Sequence, residues 1–145
     1  MDRDAELFQS LADSTRLRLL NLLTQTDQIC VCELVDALEV PQYSISRHLR
    51  VLADAGWLDD RRLGKWIYYR ISEKLKPYQR AVLEALARLR DERPDFKEDE
   101  RRAGRRLKLR QGGVCCVGLV SKIGAANGGG AGTKPAPSPP PRRGR

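Results

Sequence analysis

The chain has 145 residues, room for one ordinary domain and an extension. It carries 27 Lys and Arg against 19 Asp and Glu, a formal charge of +8, and one histidine, so no multi-histidine metal centre fits within one chain. No run approaches the roughly 18–20 consecutive apolar residues of a membrane span, and the acidic start Met1-Asp2-Arg3-Asp4-Ala5-Glu6 predicts no secretory signal. The four cysteines are therefore expected to stay reduced in a cytoplasmic protein with no membrane partner.

Asp4 to Leu11 reads as a short helix with Leu7, Phe8 and Leu11 on one side. Asp13 or Ser14 is a plausible N-cap for a second helix, Thr15 to Thr24. A third spans Val31 to Leu38 and ends before Glu39-Val40-Pro41. Pro41 suits the first turn of a fourth helix, Gln42 to Ala55, which Gly56 terminates. There Ile45, Leu49 and Leu52 recur at i, i+4 and i+7 as a buried stripe. Two strand-like runs follow, Trp57 to Arg62 and Lys65 to Ile71, joined through Leu63-Gly64; the second alternates as a half-buried strand should. A last helix, Pro77 to Arg90, carries Tyr78, Val82, Ala85, Leu86 and Leu89 on one face.

Composition then changes. Residues 1–93 hold 15 basic and 15 acidic side chains, whereas 94–145 hold 12 and 4, so the whole excess charge lies in the last third. Half of residues 124–145 are Gly or Pro, which cannot bury a core. One apolar island interrupts this part, Gly113-Val114-Cys115-Cys116-Val117-Gly118-Leu119-Val120. The expected organisation is a folded domain over 1–93 and a flexible basic tail over 94–145.

A helical pair joined by a tight turn, followed at once by a hairpin, describes a winged helix-turn-helix, mainly α in the order α-α-α-α-β-β-α. With Ile45, Leu49 and Leu52 inward, Tyr43, Ser46, Arg47 and Arg50 face outward, and Gln42 and Ser44 sit at the end that enters a major groove. Arg47 can read guanine or hold a phosphate, and Gln42 can pair with adenine. Arg61, Arg62 and Lys65 on the wing suit phosphates or the minor groove. Double-stranded operator DNA is the expected partner. The apolar faces of 5–11 and 77–90 are expected to pair two copies as a homodimer. The six basic residues of 101–110 are expected to add non-specific phosphate contacts.

Three segments carry a specific resemblance: Leu11-Ala12-Asp13-Ser14-Thr15-Arg16-Leu17-Arg18-Leu19-Leu20, Ser44-Ile45-Ser46-Arg47-His48-Leu49-Arg50-Val51-Leu52 and Gly64-Lys65-Trp66-Ile67-Tyr68-Tyr69-Arg70. Together they resemble the ArsR/SmtB family of metal-responsive repressors over roughly residues 5–93. The resemblance implies a winged-helix homodimer that leaves its promoter when an inducer binds, with Gln42, Ser44, Ser46, Arg47 and His48 carrying DNA recognition.

Cys30-Val31-Cys32-Glu33-Leu34 resembles the thiol motif of the arsenical-resistance repressors, in which a third Cys follows at the position held here by Val35. Two cysteines i, i+2 on a regular helix point about 200° apart, so sharing one ion is expected to require unwinding of that first turn. The vicinal pair Cys115-Cys116, flanked by Gly112, Gly113 and Gly118, is the candidate source of the missing thiolate. Three ligand sets compete. Cys30 and Cys32 plus one of Cys115/Cys116 suit As(III) or Sb(III), the leading expectation, with no organic cofactor. One thiol pair suits a methylated arsenical, and all four thiols suit an S4 site for Zn, Cd or Pb. A thiol redox enzyme is the remote alternative, with no base beside the cysteines to support it.

Overall fold

The computed structural model describes residues 2–115 and 118–120. Its elements are α1 (Arg3–Gln9), α2 (Ser14–Leu23), β1 (Ile29–Cys30), α3 (Val31–Leu38), α4 (Gln42–Asp54), β2 (Leu58–Leu63), β3 (Trp66–Ile71), α5 (Pro77–Leu89) and α6 (Pro94–Leu107), with a 3-10 turn at Arg90–Glu92 before α6. Asp13 caps α2 by accepting a hydrogen bond from the Arg16 amide at 3.1 Å. Glu39 ends α3 in the left-handed conformation, φ 56°, and Pro41 two residues on starts α4. Ile45, Leu49 and Leu52 are fully buried, joining Leu19, Leu20, Leu34, Leu38 and Trp57 in the main core. This is the winged helix-turn-helix expected from the apolar periodicity.

Three features differ from the expected pattern. The hairpin turn is Gly64-Lys65, with Leu63 paired to Trp66, because Gly64 supplies the positive φ of 61° that a two-residue turn requires. A third strand, β1, pairs antiparallel with β3, Ile29 to Tyr69 and Cys30 to Tyr68. Two residues are too few to show a period, so β1 leaves no trace in the sequence pattern.

The third difference is the largest. Residues 94–107, expected within the flexible tail, form a helix packed on α3 and α2. Its inward face is Phe96, Asp99, Ala103 and Arg106, all buried, with i, i+3, i+7, i+10 spacing but only two apolar members. Charge replaces apolar burial at the other two. Asp99, fully buried, accepts a bidentate pair from Arg18 at 2.8 Å each and a third bond from Arg102 at 2.8 Å. Beyond α6 the chain folds back, so Val114 and Cys115 are buried beside β3. Hence β3 is covered on both faces. Tyr69 and Ile67 belong to the main core, while Trp66 and Tyr68 join a second cluster with Cys30, Cys32, Leu63 and Cys115.

Candidate metal centre and nucleic-acid interface

Cys30 is the N-cap of α3, in extended conformation (φ −74°, ψ 149°), because its backbone is held in β1 against β3. Cys32 lies one residue into the helix. The bend between strand and helix brings their Sγ atoms to 3.2 Å. The expected unwinding of the first helical turn is therefore corrected: Cys30 was never in the helix, so nothing has to unwind. Glu33 fixes this turn, accepting the Cys30 amide at 2.9 Å.

Cys115 completes a triangle. Its Sγ lies 3.2 Å from that of Cys32, and all three sulfurs lie within 4.8 Å of one another. The three residues are buried, at 1%, 5% and 0% exposure. A soft ion about 2.3 Å from each sulfur can bridge such a triangle, so the donor set fits a thiolate-preferring ion. Val35 is fully buried in the main core, outside this cluster. Cys116 lies outside the described residues.

The environment favours the protonated form of Cys30 and Cys32. Cys30 is pushed up to about 12, first by its hydrogen bonding with Cys115 and then by burial. Cys32 is raised further by hydrogen bonds to Cys115 and Cys30 and by desolvation. Around them stand two ion pairs that the sequence reading missed. Arg110 makes a fork on Glu33, 2.7 Å on each oxygen, and Arg106 Nε donates to Asp36 at 2.6 Å. Arg106 also reaches the Gly118 carbonyl and lies 3.7 Å from the sulfurs of Cys32 and Cys115. Burial opposes its charge, but Asp36 and the neighbouring sulfurs leave it raised. The available signal was spacing: Arg102, Arg106 and Arg110 recur every four residues, and Glu33, Asp36 and Glu39 every three.

The DNA-reading candidates divide. On α4, Ser46, Arg47 and Arg50 are exposed beside the 64%-exposed Tyr43, while Gln42 and Ser44 are partly exposed near its N-terminus. Arg62 and Lys65 are exposed on the wing and Arg61 is half-buried; Lys65 also lies over the Trp66 ring at 4.9 Å. His48 separates from this set. It is 9% exposed, with Nδ1 3.1 Å from Arg16 Nη1 and 3.9 Å from Asp13. Burial lowers its pKa. Its position on the flank of the apolar stripe turns its Nδ1 toward α2, which sets it apart from the outward-facing residues of α4.

The fold and these surfaces define a winged-helix regulator built around a three-thiol cluster. Residues 13–59 match the model of the bacterial regulatory protein, arsR family. The chain is 45% identical over 80 residues to the arsenic resistance transcriptional regulator ArsR1 of Pseudomonas putida, covering 55% of this chain and 62% of that one. It is 40% identical over 88 residues to the arsenical resistance operon repressor of Escherichia coli, covering 61% and 75%. Among solved structures it is similar to the AntR antimony-specific transcriptional repressor, at 37% identity, TM-score 0.50 and 59% and 75% coverage. It is also similar to HlyU from Vibrio cholerae, at 29% identity, TM-score 0.53 and 60% and 90% coverage. The chain belongs to the ArsR family of transcriptional regulators. The enzyme alternative falls with this, since these relatives are named as regulators and repressors. No helix among the described residues is long and apolar enough to cross a membrane.

Proposed function

We propose that this regulator represses transcription by binding operator DNA as a cytoplasmic homodimer and is released when Cys30, Cys32 and Cys115 bind As(III) or Sb(III). The observation that carries the reading is the buried triangle of sulfurs, with 3.2 Å gaps on two sides. A trivalent trihydroxide meets three thiols by condensation: three As–O bonds break, three As–S bonds form, and the thiol protons leave as three waters. The product is neutral and so suits a dry site. The naming of relatives for arsenic and antimony supports the same ions.

DNA binding is assigned to Gln42, Ser44, Ser46, Arg47 and Arg50 on α4, with Arg61, Arg62 and Lys65 on the wing. The dimer reading draws on α1 and α5, where Phe8 remains 50% exposed and stacks on Tyr78 at 6.4 Å, with Val82, Leu83 and Leu89 only partly covered. Coupling has a short path, since Cys30 sits on the strand paired with the wing and Cys32 on the helix before α4.

The test is fluorescence anisotropy of labelled operator against arsenite and antimonite. The parent should release DNA; Cys30→Ser and Cys32→Ser should bind DNA yet ignore both ions. DNA binding that no trivalent ion reverses would reject the reading. A methylated arsenical is the second reading, because the Cys30–Cys32 pair alone offers two sulfurs at 3.2 Å. Full sensitivity in Cys115→Ser would favour it.

A further inference from the structure

The strap after Arg93 carries its third sulfur to α3 on a ladder of charges. Arg102 donates to the Ala37 carbonyl at 2.6 Å and lies 3.5 Å from Glu39. Arg106 meets Asp36, and Arg110 meets Glu33 and the Gln28 carbonyl. The order runs antiparallel, 102–106–110 against 39–36–33, so the register is specific.

Arg106 is a poor stabiliser by itself. It is 5% exposed, and its Nη1 is buried with no hydrogen-bond partner among the described residues. An apolar side chain of similar volume often serves a buried site as well or better than an ion pair, and an unsatisfied N–H adds a desolvation cost. What the guanidinium does that an apolar chain cannot is span several acceptors in one plane. It ties Asp36 of α3 to the Gly118 carbonyl on the strap, with the sulfurs of Cys32 and Cys115 at 3.7 Å. From the opposite side, the Tyr68 hydroxyl accepts the Cys115 amide at 2.9 Å. Tyr68 is the strand partner of Cys30. Thus each of the two groups that grip the Cys115 loop is anchored on an element bearing one of the other two thiols.

We propose that Arg106 and Tyr68 are positioning residues that hold Cys115 on the Cys30–Cys32 pair of its own chain, so the third thiol is supplied in cis and is in place before the inducer arrives. This rests on the three-thiol reading above. The strap is then ordered during folding rather than during binding, and the ion meets three sulfurs at once.

The test uses full-length protein. Arsenic X-ray absorption should report three sulfurs per arsenic in the parent, and two sulfurs with an oxygen in Arg106→Met and Tyr68→Phe. The arsenite midpoint for operator release, read against each variant's own DNA affinity, should rise about tenfold or more when the tethered thiol is lost. Arg106→Lys keeps the charge without the fork and should not restore three-sulfur coordination. If Arg106→Met misfolds, Tyr68→Phe, which loses one oxygen, carries the test. Cis supply is read from mixed pairs of a Cys115→Ser chain and a Cys30→Ser, Cys32→Ser chain, isolated through two different tags. Two-sulfur arsenic in the pair, or a chain that forms no pairs, supports cis supply; three-sulfur arsenic overturns it. A parent with three sulfurs alongside positioning variants that keep both coordination and midpoint overturns the positioning role alone. A parent that never reaches three sulfurs overturns the three-thiol reading and this inference with it.

Discussion

The winged-helix half of the molecule and the C-terminal strap are held by different forces. Between α2 and β3 the elements meet through fully buried apolar side chains such as Leu19, Leu34, Leu49 and Trp57, and burial of this kind is non-directional. The strap has Phe96, Ala103, Val114 and Cys115 as buried anchors, and much of the rest of its grip is ionic: Asp99 with Arg18 and Arg102, Arg106 with Asp36, Arg110 with Glu33. Ion pairs are directional, so this half can place a sulfur accurately. On the function proposed above, the two halves would suit a sensor: a packed reading head, and a segment that sets the third thiol in place.

Leu49→Ala should be the most damaging change in this comparison. The side chain is wholly buried on the inner side of α4, so the loss should lie in the upper part of the roughly 2–5 kcal/mol range for such truncations. With Trp66→Phe in parent and variants alike, so that fluorescence reports Trp57 alone, thermal melting followed by that signal and by helical circular dichroism should shift together. Separate transitions in that variant would mean that the head is not one cooperative unit.

Asp99→Ala comes next. It leaves Arg18 and Arg102 without the buried carboxylate both bind, a loss of about 3 kcal/mol when one partner of a buried pair is removed. The distinction lies in where the damage falls. Trypsin should cut within 101–110 at low protease, and arsenic should lose its third sulfur, while the Trp57 transition stays near that of the parent. If the head melts as early as it does in Leu49→Ala, the two halves are one unit and the comparison fails.

The same difference explains what was legible in the sequence. The head announces itself because Ile45, Leu49 and Leu52 repeat at helical spacing, and because Asp13, Pro41 and Gly56 punctuate the elements. The strap does not, since a face of Phe96, Asp99, Ala103 and Arg106 has helical spacing but too few apolar members for a hydrophobic pattern to register. Its arginines read as a solvated basic run until the carboxylates of α3 are set opposite them. The thiol site was legible as composition, from Cys30, Cys32 and Cys115. Its geometry was not, because the extended conformation of Cys30 depends on a two-residue strand formed only by pairing with β3.

The smallest expected effect concerns charge left over from the ladder. Six basic residues over 101–110 suggested non-specific phosphate contacts, but Arg102, Arg106 and Arg110 are committed to α3, and Arg101 is paired with Glu98. Arg105 and Lys108 remain exposed. Each phosphate contact contributes about 0.9 to the slope of log affinity against log salt, so Arg105→Gln with Lys108→Gln should flatten the operator-binding slope by at most about 2. Arg110→Gln should leave that slope unchanged, since its charge already faces Glu33. Because phosphate contacts carry no base information, the ranking of operator variants should be the same in every case. A slope that flattens equally in Arg110→Gln would show that the ladder opens on DNA, and that the strap divides its arginines between α3 and the phosphate backbone.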